Sequence, residues 1–99
     1  IICRAGASTV TEIAAVGAAA LFVPFPAAVD DHQSVNAQFL VAQGGGWLAQ
    51  QRDLTPSIFA TMLQKTQRPA LIEAACQAKK LQKTEATACV VAACEELAK

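Results

Sequence analysis

The sequence predicts an α/β fold built on a parallel sheet, and three observations carry that expectation. Three short apolar runs recur at Ile1–Cys3, Ala20–Val23 and Trp47–Gln50. The stretches between them hold helix start and stop signals and are long enough for crossover helices, which bring successive strands together in parallel. Apolar residues make up 54% of the chain and charged ones 16%, a balance that excludes disorder and fits strands covered by helices.

Ile1-Ile2-Cys3 reads as the end of a buried strand, followed by the small-residue loop Arg4 to Ser8. Thr9-Val10-Thr11-Glu12 has the spacing of a capping box, which starts a helix at Thr9 that runs to Val16, where Gly17 closes it. Ala20–Val23 is a continuous apolar run stopped by Pro24, as expected of a strand covered on both faces. Asp30 or Asp31 caps a second helix to about Gln43, with Val35, Phe39, Leu40 and Ala42 as its inward stripe. Gly44-Gly45-Gly46 ends that helix before the third strand. Thr55 caps a helix with Pro56 at its first position and Ile58, Met62 and Leu63 on its apolar side. Pro69 opens another helix to about Leu81. Thr84 caps the last one, whose face is Ala86, Cys89, Val90, Ala93 and Leu97.

Several function classes fall away on composition. Lysine plus arginine equals aspartate plus glutamate at 8 each, so no net field draws the chain to nucleic acid. Lys79, Lys80 and Lys83 read as a solvated helix face. The uncharged stretch from Ile13 to Val29 is broken by Gly17, Pro24 and Pro26 and is too short to span a bilayer. Cys3, Cys76, Cys89 and Cys94 form no CxxC pair and have only His32 for company, so no metal site and no cofactor are expected; small buried thiols are. The chain opens on Ile1 inside an apolar run, which reads as a strand cut through, with more sequence expected before it.

In an open parallel sheet, ligands bind beyond the carboxyl ends of the strands. Two loops leave such ends, Arg4 to Ser8 and Pro24 to Asp31. The first runs into a helix start, whose unpaired N–H groups and dipole favour an anion, so either a phosphate sits against Ala7, Ser8 and Thr9 or, as in many turns of this composition, nothing binds there. Glu12 has two competing roles. It caps the N–H of Thr9, which the local pattern favours, or it accepts hydrogen bonds from vicinal hydroxyls such as those of a ribose. Gln33 and Asn36 share one helix face, and their amides suit sugar hydroxyls or simply face water. His32 lacks the nucleophile or orienting carboxylate that would make it a base.

Taken together, Cys-Arg-Ala-Gly-Ala-Ser-Thr-Val-Thr-Glu at 3–12, Phe-Val-Pro-Phe at 22–25 and Asp-Asp-His-Gln-Ser-Val-Asn-Ala at 30–37 resemble a known family. It is the undecaprenyl-diphospho-muramoylpentapeptide N-acetylglucosaminyltransferases, and the likeness is to their C-terminal domain, most densely over residues 1–50. The resemblance implies that residues 1–99 are part of the donor-binding half of a GT-B enzyme with a Rossmann-like sheet, the acceptor domain lying outside the chain. It implies UDP-N-acetylglucosamine as donor, inversion at the sugar, and transfer to lipid I to give lipid II in peptidoglycan synthesis. It also implies a peripheral enzyme on the cytoplasmic face of the bacterial inner membrane. Ala7, Ser8, Thr9, Val10 and Thr11 then lie along the donor, Glu12 takes the ribose, Gln33 and Asn36 hold the sugar hydroxyls, and His32 is a neighbouring polar contact. No catalytic residue is expected within the chain. The alternative is a donor-binding subunit or domain of another UDP-sugar GT-B transferase that works with a separate acceptor chain.

Overall fold

The computed structural model describes residues 1–27 and 31–99; the reading of Asp30 as a cap lies outside them. The element order is β1 (Ile2–Cys3), α1 (Ala7–Val16), β2 (Leu21–Phe22), α2 (His32–Val41), β3 (Trp47–Leu48), a 3₁₀ turn (Gln51–Asp53), α3 (Pro56–Lys65), α4 (Arg68–Lys80) and α5 (Ala86–Leu97). The three strands pair in parallel in the order β1-β2-β3, with Ile2, Leu21 and Trp47 in one row and Cys3, Phe22 and Leu48 in the next. This is the expected α/β architecture, with strands shorter than the apolar runs.

The two rows meet different surroundings because neighbouring side chains on a strand point to opposite faces. Phe22 is fully buried against Val10, Ile13 and Ala14 of α1, Ala37 and Leu40 of α2, and Ala78 of α4, with Cys3 and Leu48 packed beside it. Burial pushes the Cys3 thiol above its ordinary pKa. The other row lines an apolar hollow of about 490 Å³ with Phe59, Met62 and Leu63 of α3. The inner layer is built largely from alanine, with Phe22 and Leu40 as its largest fully buried apolar side chains apart from Pro24.

The helix stops follow the sequence. Gly17 sits at φ 76°, a left-handed geometry that disfavours a side chain, and its N–H bonds to the Ile13 carbonyl. After α2, Gly44 is also left-handed, and Gly44 N–H to Val41 O and Gly45 N–H to Leu40 O form the paired closure of a Schellman turn. Gly46 is needed for a different reason. A methyl group on it would lie 2.9 Å from the Ala20 carbonyl oxygen and 3.2 Å from the Phe22 ring. Gly46→Ala is therefore expected to lower stability by about 1–3 kcal/mol, as overpacking does, read from the denaturant midpoint. Thr55 caps α3 as its sequence predicts, its hydroxyl accepting from Ile58 N–H at 3.2 Å.

Several expectations are corrected. α1 begins at Ala7 with Gly6 as its cap, not at Thr9, so Thr9 lies inside the helix. Of the stripe assigned to α2 only Leu40 faces inward: Val35 is 71% exposed, Phe39 40%, Ala42 is also exposed, and the buried positions are Ala37 and Leu40. On the same side of α2 as these lie Gln33 and Asn36, which turn inward to hold backbone. α5 starts after Glu85 without a side-chain cap from Thr84, and none of its residues is buried. Cys76, Cys89 and Cys94 are exposed rather than buried, and all four cysteines are free. Among the described residues, no helix is long and apolar enough to cross a membrane.

Candidate functional site

The carboxyl ends of all three strands open onto one edge, and each of the loops leaving them contributes polar groups there. β1 leads through Arg4, Ala5 and Gly6 into α1. Because Gly6 is the cap and Val10 N–H makes the first helical bond, to Gly6 O at 3.0 Å, the N–H groups of Ala7, Ser8 and Thr9 have no partner within the helix. Among the described residues, no side chain caps them. They form the positive end of the helix dipole, and the earlier start moves that end two residues toward the strand.

Glu12 thereby falls in the second turn. It makes no hydrogen bond to a described residue and is exposed, so the capping role favoured by the local pattern is overturned. Ala7, Ser8, Thr11 and Glu12 together line a shallow depression of about 330 Å³. A neighbouring depression of about 240 Å³ shares Ala7 and Thr11 and adds Val10, Val35, Asn36 and Phe39. The Thr11 hydroxyl donates to the Ala7 carbonyl at 3.0 Å, which turns it along the helix.

Gln33 and Asn36 occupy the first turns of α2 and are half-buried. Gln33 Oε1 accepts from Phe25 N–H at 2.8 Å and from Ala5 N–H at 3.3 Å. Asn36 Nδ2 donates to the Ala5 carbonyl at 3.1 Å. Half of each amide thus binds the loop in front of α1, and among the described residues Gln33 Nε2 and Asn36 Oδ1 make no hydrogen bond. His32 is the first residue of α2, exposed and without a hydrogen-bond partner among the described residues. Asp31 precedes it at φ 46° and accepts at Oδ1 from Ser34 Oγ at 2.7 Å, which in turn accepts from Gln50 Nε2 at 2.9 Å.

That last link belongs to a third loop that sequence reasoning passed over. Gln50, Gln51 and Arg52 follow β3 and, with Phe25, Pro26 and Asp31, enclose a hollow of about 210 Å³. The rule that drew attention to the first two strand ends applies equally to this one. Arg4 was also missed, although it is the one charge between β1 and α1. The hollow of about 490 Å³ between the other row of the sheet and α3 lies elsewhere and carries none of these groups. Among the described residues, no group of three or more His, Cys, Asp or Glu could hold a metal ion.

A parallel α/β domain with an open helix start, a carboxylate beside it that meets no described partner, and two half-engaged amides on one edge presents groups complementary to a ligand with an anionic group and hydroxyls. The chain belongs to the glycosyltransferase family 28 C-terminal domain, whose model matches residues 1–91. It is 81% identical over 98 residues to the UDP-N-acetylglucosamine–N-acetylmuramyl-(pentapeptide) pyrophosphoryl-undecaprenol N-acetylglucosamine transferase of Polaromonas naphthalenivorans, covering 99% of this chain and 27% of that protein. The transferase of the same name from Verminephrobacter eiseniae is 63% identical, again over 99% of this chain and 27% of its own length. The crystal structure of Acinetobacter baumannii MurG superposes with a TM-score of 0.91 at 44% identity, over 97% of this chain and 29% of that one. The fold is that of the C-terminal half-domain of a GT-B glycosyltransferase, as the motifs implied. The chain spans about a quarter of the length of the curated relatives it matches.

Proposed function

We propose that this chain is the donor-binding part of an inverting glycosyltransferase. The reaction moves N-acetylglucosamine from UDP to lipid I, the undecaprenyl-diphospho-muramoyl-pentapeptide, and yields lipid II for peptidoglycan. The observation that carries the reading is the shared depression at the start of α1, where free amides and the unpaired Glu12 carboxylate lie side by side. The names of the relatives support the choice of donor and acceptor.

In this reading the diphosphate rests on the N–H groups of Ala7, Ser8 and Thr9, and the backbone of Val10 and Thr11 runs along the donor. Glu12 accepts both ribose hydroxyls, since a carboxylate offers two acceptor oxygens and no donor. Gln33 Nε2 and Asn36 Oδ1 are left to meet the sugar hydroxyls, with His32 beside them. As the bond from the sugar's anomeric carbon to the diphosphate breaks, negative charge grows on the departing phosphate oxygen. Amides already aimed at it stabilise that charge without reorganising. The acceptor hydroxyl, the base that takes its proton, the acceptor domain and the peripheral contact with the cytoplasmic face of the membrane belong outside residues 1–99.

The test uses a full-length enzyme carrying this chain as its matched quarter, with a soluble lipid I analogue as acceptor. UDP-N-acetylglucosamine, the donor named for the relatives, is expected to be turned over at least about tenfold more efficiently than UDP-glucose, the scale at which a site that bonds a substrate group rejects a donor lacking it. Equal turnover of the two donors removes the peptidoglycan assignment.

A further inference from the structure

We propose that Arg4 is a positioning residue for the donor, fastening the loop after β1 to the loop after β2 so that the free end of α1 is held in place. This rests on the donor-site reading above. Arg4 follows β1 directly and stands two residues before the Gly6 cap. Its Nη1 donates to the carbonyls of Val23 and Pro24, each at 3.3 Å, and its guanidinium carbon lies 5.6 Å from the centre of the Phe25 ring. Pro24 is fully buried, so the carbonyl that Arg4 grips is anchored in the core.

A second fastening closes the same pair of loops from the α2 side. Gln33 Oε1 accepts from Ala5 N–H and Phe25 N–H, and Asn36 Nδ2 donates to Ala5 O. Residues 4–5 are therefore bonded to residues 23–25 twice, once by a side chain reaching forward and once through an amide shared between them. Ala5 is itself buried and adjoins the cap, so a shift of Arg4 and Ala5 moves the amides of Ala7, Ser8 and Thr9 with it.

Arginine suits the task for a reason beyond its charge. Its Nη1 donates to two successive carbonyls while the planar guanidinium lies over an aromatic ring. A lysine ammonium can also donate to two carbonyls, but it lacks the planar face that lies over the Phe25 ring. The two substitutions Arg4→Lys and Arg4→Gln therefore separate shape from charge.

The experiment uses the full-length enzyme and reads KM for UDP-N-acetylglucosamine, kcat, the melting temperature and amide hydrogen exchange at Ala5 and Phe25. Both variants are expected to raise KM about fivefold, while kcat stays within about twofold and the melting temperature within about 2 °C. Exchange at Ala5 and Phe25 is expected to quicken in both. Adding Phe25→Leu to Arg4→Gln is expected to cost little more than Arg4→Gln alone, because the two side chains act through one contact. Wild-type KM in Arg4→Lys would assign the effect to charge and overturn the proposal, as would unchanged KM in Arg4→Gln or unchanged exchange at both amides. Should the wild-type enzyme fail to use UDP-N-acetylglucosamine, the functional reading falls and donor positioning with it. The exchange result then reports on the loop fastening alone.

Discussion

Glu12→Ala in the full-length enzyme is expected to weaken donor binding by about 1.5–3 kcal/mol, roughly 10- to 150-fold in Kd, with the melting temperature unchanged. The two halves of that expectation come from one geometric fact. Because α1 starts at Ala7, Glu12 reaches no backbone donor and contributes no capping bond, so its removal leaves the helix intact. A carboxylate bonded to two vicinal hydroxyls contributes at the scale of hydrogen bonds to a charged group. Titration calorimetry beside a melting curve decides. A fall in melting temperature with unchanged affinity would return Glu12 to the helix and remove the ribose role.

Gln33 is expected to give the second large effect, and two substitutions divide its roles. Gln33→Ala leaves the N–H groups of Ala5 and Phe25 without their acceptor, at an expected loss of about 1–2 kcal/mol in stability together with weaker donor binding. Gln33→Glu keeps an oxygen acceptor for both amides, and a charged acceptor forms the stronger bond, so the fold should be retained. It also removes the Nε2 donor and sets a negative charge near the diphosphate, so donor affinity should drop at least about tenfold. If Gln33→Glu binds donor like the wild type, the side chain serves the loops alone. If Gln33→Ala melts like the wild type, the bonds to Ala5 and Phe25 contribute nothing measurable.

The element order was legible because its punctuation is local. Gly17, Gly44, Thr55, Pro56 and Pro69 each act within a few residues of themselves, and the structure places the stops and starts where they predict. α1 starts ahead of the Thr9–Glu12 pattern because Gly6, read as part of a loop, adopts the extended geometry a cap requires at φ −62° and ψ 151°. Apolarity found only Leu40 on the inward face of α2, because part of that face is amide. Gln33 and Asn36 turn inward to satisfy the backbone of loops 28 and 31 residues away in sequence, for Gln33–Ala5 and Asn36–Ala5 respectively, and no helical period reveals such a need. The face assigned to α5 follows helical spacing well but is uncovered, since periodicity marks a face that can be buried rather than one that is. Arg4 escaped notice because its partners lie 19 and 20 residues on.

The site was legible in outline for a related reason. Its residues cluster after strand ends, and that rule follows from the topology of a parallel sheet rather than from side-chain detail. What each residue bonds to was not legible. The amide groups of Gln33 and Asn36 are divided between backbone and open solvent, a division set by the spacing of two loops in space.

Ala14, Ala37, Ala74 and Ala78 fill the contacts between α1, α2 and α4. Alanine has no rotamer to change, so this layer cannot accommodate a push by swinging a side chain aside. Any displacement must carry a whole helix with it, against close contact along its length. The first turn of α1 is thus mounted on a stiff block.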